Sequence, residues 1–255
     1  MKNNKATGTW KTIWNDSFGK LKKHQSIQVL NNLLTFGPIN ERTEQVSMEV
    51  QTWSGLDFAN RLRVESTFLE DMPAIWMFSL ALHNNEGNNK IYITGGRLAE
   101  GWRSRFESYQ GTETLSSCYA YDLKNQTVTQ VKSMEEGHKL HSSCIMNNRL
   151  YVIGGQRGSD QDGNTFEMLD LKELSHDGCE WRKYEIPISP YTVFYRTFFS
   201  PIDDRDLLFF AQDEDEENYA YALDTYTFTS RKLCRIDDQS LDLYRIMDGQ
   251  SAVVH

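Results

Sequence analysis

The sequence predicts an all-β fold made of four repeats of a four-stranded antiparallel unit. Short apolar segments of similar pattern recur every 57–59 residues, and each directly follows a polar turn. Almost no part of the 255-residue chain has the 3.6-residue apolar period of a helix over three turns. Self-similarity at a fixed period is the mark of a repeat architecture. The recurring segments begin at Leu33, Ile91, Leu150 and Leu207.

Each recurring segment is the second strand of a predicted hairpin. Another apolar or aromatic run lies just before each polar turn, and two such runs around a short polar turn are typical of a β-hairpin. The first strands are predicted within 26–30, 75–82, 142–146 and 193–202.

A third and a fourth strand complete each unit. The third strands are predicted at 46–53, 118–122, 166–170 and 219–224, and the fourth at 62–68, 127–131, 180–186 and 231–236. Four-stranded units at a period near 50 residues predict a β-propeller, in which each unit is one blade. The predicted blades span about 24–68, 75–131, 141–186 and 193–236 of a single domain that covers residues 1–255.

The second and third units resemble kelch repeats. The residues that carry the resemblance are Gly95, Gly96, Tyr121, Asp122, Gly154, Gly155, Asp170 and Trp181. The resemblance implies a kelch-type propeller in which these residues are structural. A glycine pair would end an inner strand where a Cβ would clash, and the Tyr and Trp rings would fill the space between blades.

The kelch pattern is incomplete in the first, second and fourth units. The glycine pair is replaced by Gly37-Pro38 in the first unit and by Ala211-Gln212 in the fourth. The position of the kelch Trp is taken by Val128 in the second unit and by Phe228 in the fourth.

Residues 10–14 and 244–255 predict a partial blade, which indicates either part of a longer chain or an incomplete ring. Open edge strands there would favour self-association.

Composition excludes several classes of partner. The chain has 27 basic and 36 acidic side chains and a net charge of −9, which argues against nucleic acid and anionic membranes. No apolar run reaches the length of a transmembrane helix, and no apolar segment follows the basic start at residues 1–5. The cysteines carry no pairing pattern of their own. We interpret all four as reduced thiols buried in strands of a cytoplasmic protein, and they are Cys118, Cys144, Cys179 and Cys234.

The candidate binding residues lie in loops between second and third strands, because the blades of a propeller are scaffold. These loops are predicted at 39–45, 97–117, 156–164 and 213–218. The second is the longest, and its arginines and rings suit a partner that is an acidic peptide or a carboxylate. A solvated loop whose rings lie under the rim is the alternative. The predicted partner-binding residues are Arg97, Trp102, Arg103, Arg105, Phe106, Tyr109 and Arg157.

Other chemistry-bearing segments favour structural roles. His138, His141 and Cys144 lie close in sequence, but a metal site needs three or four converging ligands, and residues 141 and 144 point to opposite faces of a strand. Residues 160–163 lack the remaining ligands of a calcium loop, and the acidic run 213–217 is typical of a solvated tip. We therefore predict no catalytic residues, no metal and no cofactor.

The resemblance implies a non-enzymatic protein-interaction module, such as a substrate receptor of a cullin ubiquitin ligase or a cytoskeletal scaffold. No ligase-recruiting region is found in the roughly thirty residues before the first hairpin. Two alternatives remain. One is a kelch-propeller enzyme, similar to the sialic acid epimerase of this fold, with a site at the central channel. The other is a structural part that pairs with other propeller elements through open edges.

Overall fold

Four antiparallel sheets of four strands each make up most of the described structure. The structure is a computed structural model that describes residues 25–30, 32–40, 46–54, 63–85, 88–99, 114–157, 165–174, 179–188, 199–212 and 217–236. Every regular element in these residues is a β-strand. The part of the chain described here contains no helix with the length and apolarity needed to span a bilayer.

The first half of the chain holds two of the sheets. In chain order its strands are β1 (Gln25–Val29), β2 (Asn32–Asn40), β3 (Val46–Ser54), β4 (Arg63–Phe68), β5 (Ile75–Trp76), β6 (Ser79–His83), β7 (Lys90–Thr94), β8 (Arg97–Leu98), β9 (Cys118–Asp122) and β10 (Thr127–Val131). The first blade is β1-β2-β3-β4 and the second is β6-β7-β9-β10, with β5 paired to β8 beside it.

The second half repeats this plan. Its strands are β11 (His138–Lys139), β12 (Ser142–Met146), β13 (Arg149–Ile153), β14 (Gln156–Arg157), β15 (Thr165–Asp170), β16 (Arg182–Glu185), β17 (Phe199–Pro201), β18 (Asp206–Gln212), β19 (Asn218–Asp224) and β20 (Ser230–Arg235). The third blade is β12-β13-β15-β16, with β11 paired to β14, and the fourth is β17-β18-β19-β20.

The blades follow one another through their first strands. β1 contacts β6, β6 contacts β12, and β12 contacts β17. Within each blade, strands that are consecutive in the four-stranded sheet pair antiparallel, as in the register that places Leu80 opposite Ile93 and Ile93 opposite Tyr119. This is the arrangement of innermost strands in a propeller, so the prediction of about four four-stranded blades is confirmed.

The glycine pairs decide where the second strands end. β7 ends just before Gly95 and Gly96, and β13 ends just before Gly154 and Gly155, and all four glycines have a positive φ between 58° and 99°. A positive φ turns the chain out of the strand. In the first and fourth blades, where the pair is absent, β2 runs to Asn40 and β18 runs to Gln212.

The predicted first strand at 75–82 is wrong as one continuous strand. It is split into β5 and β6 by Met77, whose φ is +57°. The third blade has the same break at Leu140, also with φ +57°, between β11 and β12. Neither residue is a glycine or an asparagine, so the apolar pattern gave no sign of the turn.

Apolar layers between neighbouring blades form the core. Along β13, Leu150 and Val152 pack toward the second blade, whereas Tyr151 and Ile153 pack toward the fourth. Successive side chains of a strand point to opposite faces, so one strand serves two layers. This explains why the inner strands are nearly continuous apolar runs.

Three of the four cysteines are buried, as the sequence predicted. Cys118 and Cys144 lie in strands, and burial raises the pKa of both thiols; Cys179 is buried just before β16. The prediction is wrong for Cys234, which is exposed in β20 at the outer edge of the fourth blade. An outer-edge strand has only one neighbour in its sheet, so its side chains are less covered.

The predicted partial blade from residues 10–14 and 244–255 lies outside the described residues. Closure of the ring, self-association through its edges and the extent of the domain remain predictions.

Aspartates hold the turn between third and fourth strands in three blades. Asp122, Asp170 and Asp224 end their strands, and each carboxylate accepts a hydrogen bond from a backbone amide two residues further on. Asp122 and Asp224 each accept a second amide from the next residue along. This is the Asx-turn that favours Asp at such positions. The donors are the amides of Lys124, Asn125, Lys172, Tyr226 and Thr227.

We expect the combined substitution Asp122→Asn with Asp224→Asn to weaken the pH dependence of stability. The backbone amide of Asn125 lowers the pKa of Asp122, and the Arg205 guanidinium lowers that of Asp224. A carboxylate with a lowered pKa stabilises the fold above its unfolded pKa of about 3.9, and this stabilisation is lost as the pH falls below that value. The Tm difference between wild type and variant should therefore shrink as the pH falls from about 7 to 3.

Circular dichroism melts at each pH measure this difference. The exposed acids Glu70 and Asp71, changed to Gln and Asn, provide the charge-matched control. A Tm difference that stays constant down to pH 3 would show that these turns do not depend on the charge of their aspartates.

Candidate functional site

The two-stranded sheets of the second and third blades form a pair of adjacent stems. The first stem is β5 with β8, and the second is β11 with β14. The backbone amide of Leu140 donates to Met77 O at 3.0 Å, and that of Gly96 donates to His138 O at 2.7 Å. Hydrogen bonds therefore join the two stems, and we call this region the stem junction.

The longest predicted loop starts and ends at the stem junction. The backbone amide of Ala99 donates to Ala74 O at 2.8 Å, and the amide of Leu115 donates to Gly96 O at 2.9 Å. Thr114 forms a bridge with Arg97 in β8. The chain thus leaves after Ala99 and returns at Thr114, with both ends of the intervening segment fixed to the same stem.

Most of the predicted partner-binding residues lie outside the described residues. Of the set, the structure describes Arg97, and for Arg157 the backbone alone, which lies opposite His138 in β14. Arg97 is 3% exposed, and its guanidinium carbon lies 5.7 Å from the centre of the Trp76 ring. The residues outside are Trp102, Arg103, Arg105, Phe106 and Tyr109.

The glycines of the second and third blades lie directly against neighbouring backbone. A Cβ built on Gly95 would be 2.3 Å from His138 O, and one on Gly96 would be 2.6 Å from Trp76 O. A Cβ on Gly155 would be 2.4 Å from Lys139 O. Because the obstructing atoms belong to the backbone, rotation of a side chain cannot relieve these contacts. The glycines therefore allow the stems and the inner strands to approach closely.

The aromatic motif residues lie at the boundaries between blades. Tyr121 packs edge-to-face against Phe36 of the first blade, with ring centres 5.5 Å apart. Trp181 is 3% exposed, and its indole Nε1 donates to Lys132 O of the second blade at 2.8 Å. Val128 and Phe228, which replace the Trp in the neighbouring repeats, pack in the corresponding layers before their own blades.

A histidine and a glutamate are buried together beneath the stem junction. His138 and Glu167 are both 0% exposed, and His138 Nε2 lies 3.0 Å from Glu167 Oε1. The other ring nitrogen, Nδ1, lies 3.1 Å from Gly154 O. The backbone amides of Glu135 and Glu136 donate to the Glu167 carboxylate at 2.8 and 3.2 Å.

His141 and Cys144 do not join this pair. His141 Nε2 is hydrogen bonded to Thr94 Oγ1 at 2.8 Å, whereas Cys144 packs in the apolar layer between the third and fourth blades. Burial, with the nearby His138, holds the pKa of His141 well below its usual range. His141 is therefore a neutral, hydrogen-bonded part of the boundary between blades.

Glu136 and Glu167 are the residues that the sequence reasoning missed. Ligand atoms of Glu136, His138 and Glu167 all lie within 4.8 Å of one another. Glu167 did carry a signal, because it lies in the apolar strand β15 on the same face as Leu169, and a charged residue in such a strand is buried only with partners.

Comparisons with known proteins agree with this architecture. A family model for the Kelch motif matches residues 138–183, which run from β11 into β16. The comparison with curated proteins finds no match. Among solved structures 156 chains match, one of them titled "Structure of YjhT", with a TM-score of 0.56 and 12% sequence identity. That alignment covers 86% of this chain and 66% of the other, so this chain spans just under two thirds of its length.

The likeness to YjhT, at this identity, concerns the fold alone. The motif match covers the third blade and includes the Gly154-Gly155 pair, Asp170 and Trp181. Four blades of one plan, the glycine pairs and the motif match together show that the fold is a β-propeller of the kelch type, with a Kelch motif at residues 138–183.

Proposed function

We propose that the protein is an interaction module that binds an acidic peptide segment of a partner protein through the loops at the stem junction. The observation that carries this proposal is the hydrogen bonding between the two stems, from Leu140 to Met77 and from Gly96 to His138. Because the stems are joined, Ala99 and Arg157, the residues that precede the segments 100–113 and 158–164, belong to stems that hydrogen bonds hold together. Kelch propellers commonly serve as interaction modules, which supports the same role.

The composition of the longer segment fits a partner with carboxylates. Arginine presents a planar fork of donors that matches a carboxylate, and aromatic side chains bury large areas at little entropic cost. Residues 100–113 contain both types, with Arg103 and Arg105 beside Trp102 and Phe106. A rigid stem supports such a loop, because less ordering is then required when the partner binds.

Arg97 has a different place in this proposal. Its 3% exposure and its position over the Trp76 ring assign it to the stem of the loop. The contacts with a partner therefore fall to Arg103 and Arg105, with Arg157 from the neighbouring stem. A variant that removes Arg97 would disturb the stem as well as the charge, so the test leaves Arg97 unchanged.

We expect selection from a displayed library of random peptides to enrich sequences in which Asp or Glu stands next to apolar residues. Binding of a selected synthetic peptide, measured by fluorescence anisotropy, should weaken about tenfold or more in the double variant Arg103→Ala with Arg105→Ala. Higher salt should weaken wild-type binding, because exposed charge pairs are screened.

The double variant Arg182→Ala with Arg235→Ala removes the same charge from outer strands and should bind as wild type does. The side chains of both residues are 58% exposed, in β16 and β20. Equal binding by the loop variant and wild type, or selected peptides without acidic enrichment, would contradict the proposed face. If the peptides bind as expected, the identity of the natural partner decides between a receptor role and a scaffold role.

A further inference from the structure

The ring of His138 lies between a backbone carbonyl and the carboxylate of Glu167. Gly154 O can only accept, so in the tautomer that forms this bond the Nδ1 of His138, 3.1 Å away, carries the hydrogen. A neutral ring then has a lone pair on Nε2, which lies 3.0 Å from Glu167 Oε1. In this tautomer Nε2 and Oε1 face each other as two potential ligand atoms of one ion.

Glu167 is held in a fixed orientation by the backbone. The amides of Glu135 and Glu136 donate to its two oxygens and fix the direction of the carboxylate. The bond from His138 Nδ1 to a backbone carbonyl is the usual support of a histidine whose other nitrogen binds a metal. The side chains of His138 and Glu167 are both fully buried, so moving either of them would disrupt the surrounding packing.

A third ligand connects this pair with solvent. A carboxylate oxygen of Glu136 lies within 4.8 Å of the ligand atoms of His138 and Glu167. The Glu136 side chain is 37% exposed, so an ion and its remaining waters have access from this side. The 3.0 Å between Nε2 and Oε1 is also the separation of neighbouring ligands about 2.1 Å from an octahedral ion.

We propose that Glu136, His138 and Glu167 form a binding site for a divalent first-row transition-metal ion beneath the stem junction. One imidazole and two carboxylates suit Zn²⁺ and Mn²⁺. Lys183 Nζ lies 2.6 Å from Glu136 Oε1, so its ammonium group competes with the ion for this carboxylate.

Titration calorimetry of the full chain with Zn²⁺ and with Mn²⁺ tests the site. At neutral pH, we expect one ion per chain. Glu136→Gln should weaken binding about tenfold or more, and Lys183→Gln should strengthen it.

The variants separate a built site from adventitious binding. Both substituted side chains are partly exposed, so these changes test the site without removing a buried group. His83→Gln is the control, because His83 Nε2 is hydrogen bonded to Asn148 Oδ1 away from the cluster. Either an absence of saturable binding or equal affinities of wild type, Glu136→Gln and Lys183→Gln would overturn the proposal. Weaker binding in His83→Gln equal to that in Glu136→Gln would also overturn it.

Discussion

The substitution Gly95→Ala is expected to destabilise the protein by about 3 kcal/mol or more. Gly95 has φ +58°, a conformation that costs an L residue about 1–2 kcal/mol. The added Cβ would lie 2.3 Å from His138 O and 2.7 Å from His141 Cε1. The obstructing carbonyl is backbone and is itself bonded to the amide of Gly96, so the second and third blades must move apart. Urea denaturation of wild type and variant measures the difference in unfolding free energy.

A control variant separates the backbone strain from the contact between blades. Gln126 also has a positive φ, +55°, but it lies in the exposed turn between β9 and β10. Gln126→Gly should stabilise the protein by up to about 1 kcal/mol, because glycine adopts this conformation without strain. A cost of Gly95→Ala no larger than this gain would show that the contact with His138 contributes nothing.

The four blades could be predicted because their strands are formed by local contacts. Each strand pairs with its neighbour across a short connection, and the alternation of apolar faces fixes the register. The stems at the second and third blades could not be predicted in this way. They depend on positive φ values at Met77 and Leu140, two apolar residues that stand within otherwise regular runs.

The candidate site, like the fold, could be predicted from the sequence only in part. The glycine pairs follow from the motif, because a backbone approach of this kind needs residues without a Cβ. The contact between His138 and Glu167 joins residues 29 positions apart in different strands. It could be inferred only after the faces of β11 and β15 were known, since both side chains point toward the boundary between the second and third blades. The sequence placed His138 with Cys144, whose side chain packs on the opposite side of the third blade.

The substitution Trp181→Ala is expected to cost about 3–5 kcal/mol, the usual range for removing a large buried ring. Trp181 lies in the apolar layer between the second and third blades, with Cys118 and Ala120 across the boundary. Its Nε1 donates to Lys132 O at 2.8 Å, so the same side chain fills the layer and bonds the neighbouring blade. Loss of the ring leaves a cavity that the rigid strands on both sides cannot close. Urea denaturation followed by circular dichroism measures the loss.

Two further variants distinguish packing from hydrogen bonding at this boundary. Trp181→Phe keeps most of the apolar area but removes the bond to Lys132 O, and it should cost about 1–2 kcal/mol. Val128→Ala removes a smaller side chain from the corresponding position of the second blade and should also cost about 1–2 kcal/mol. If Trp181→Ala costs no more than Val128→Ala, the ring does not hold the blades together. If Trp181→Phe costs as much as Trp181→Ala, the hydrogen bond, and not the filled layer, joins the second blade to the third.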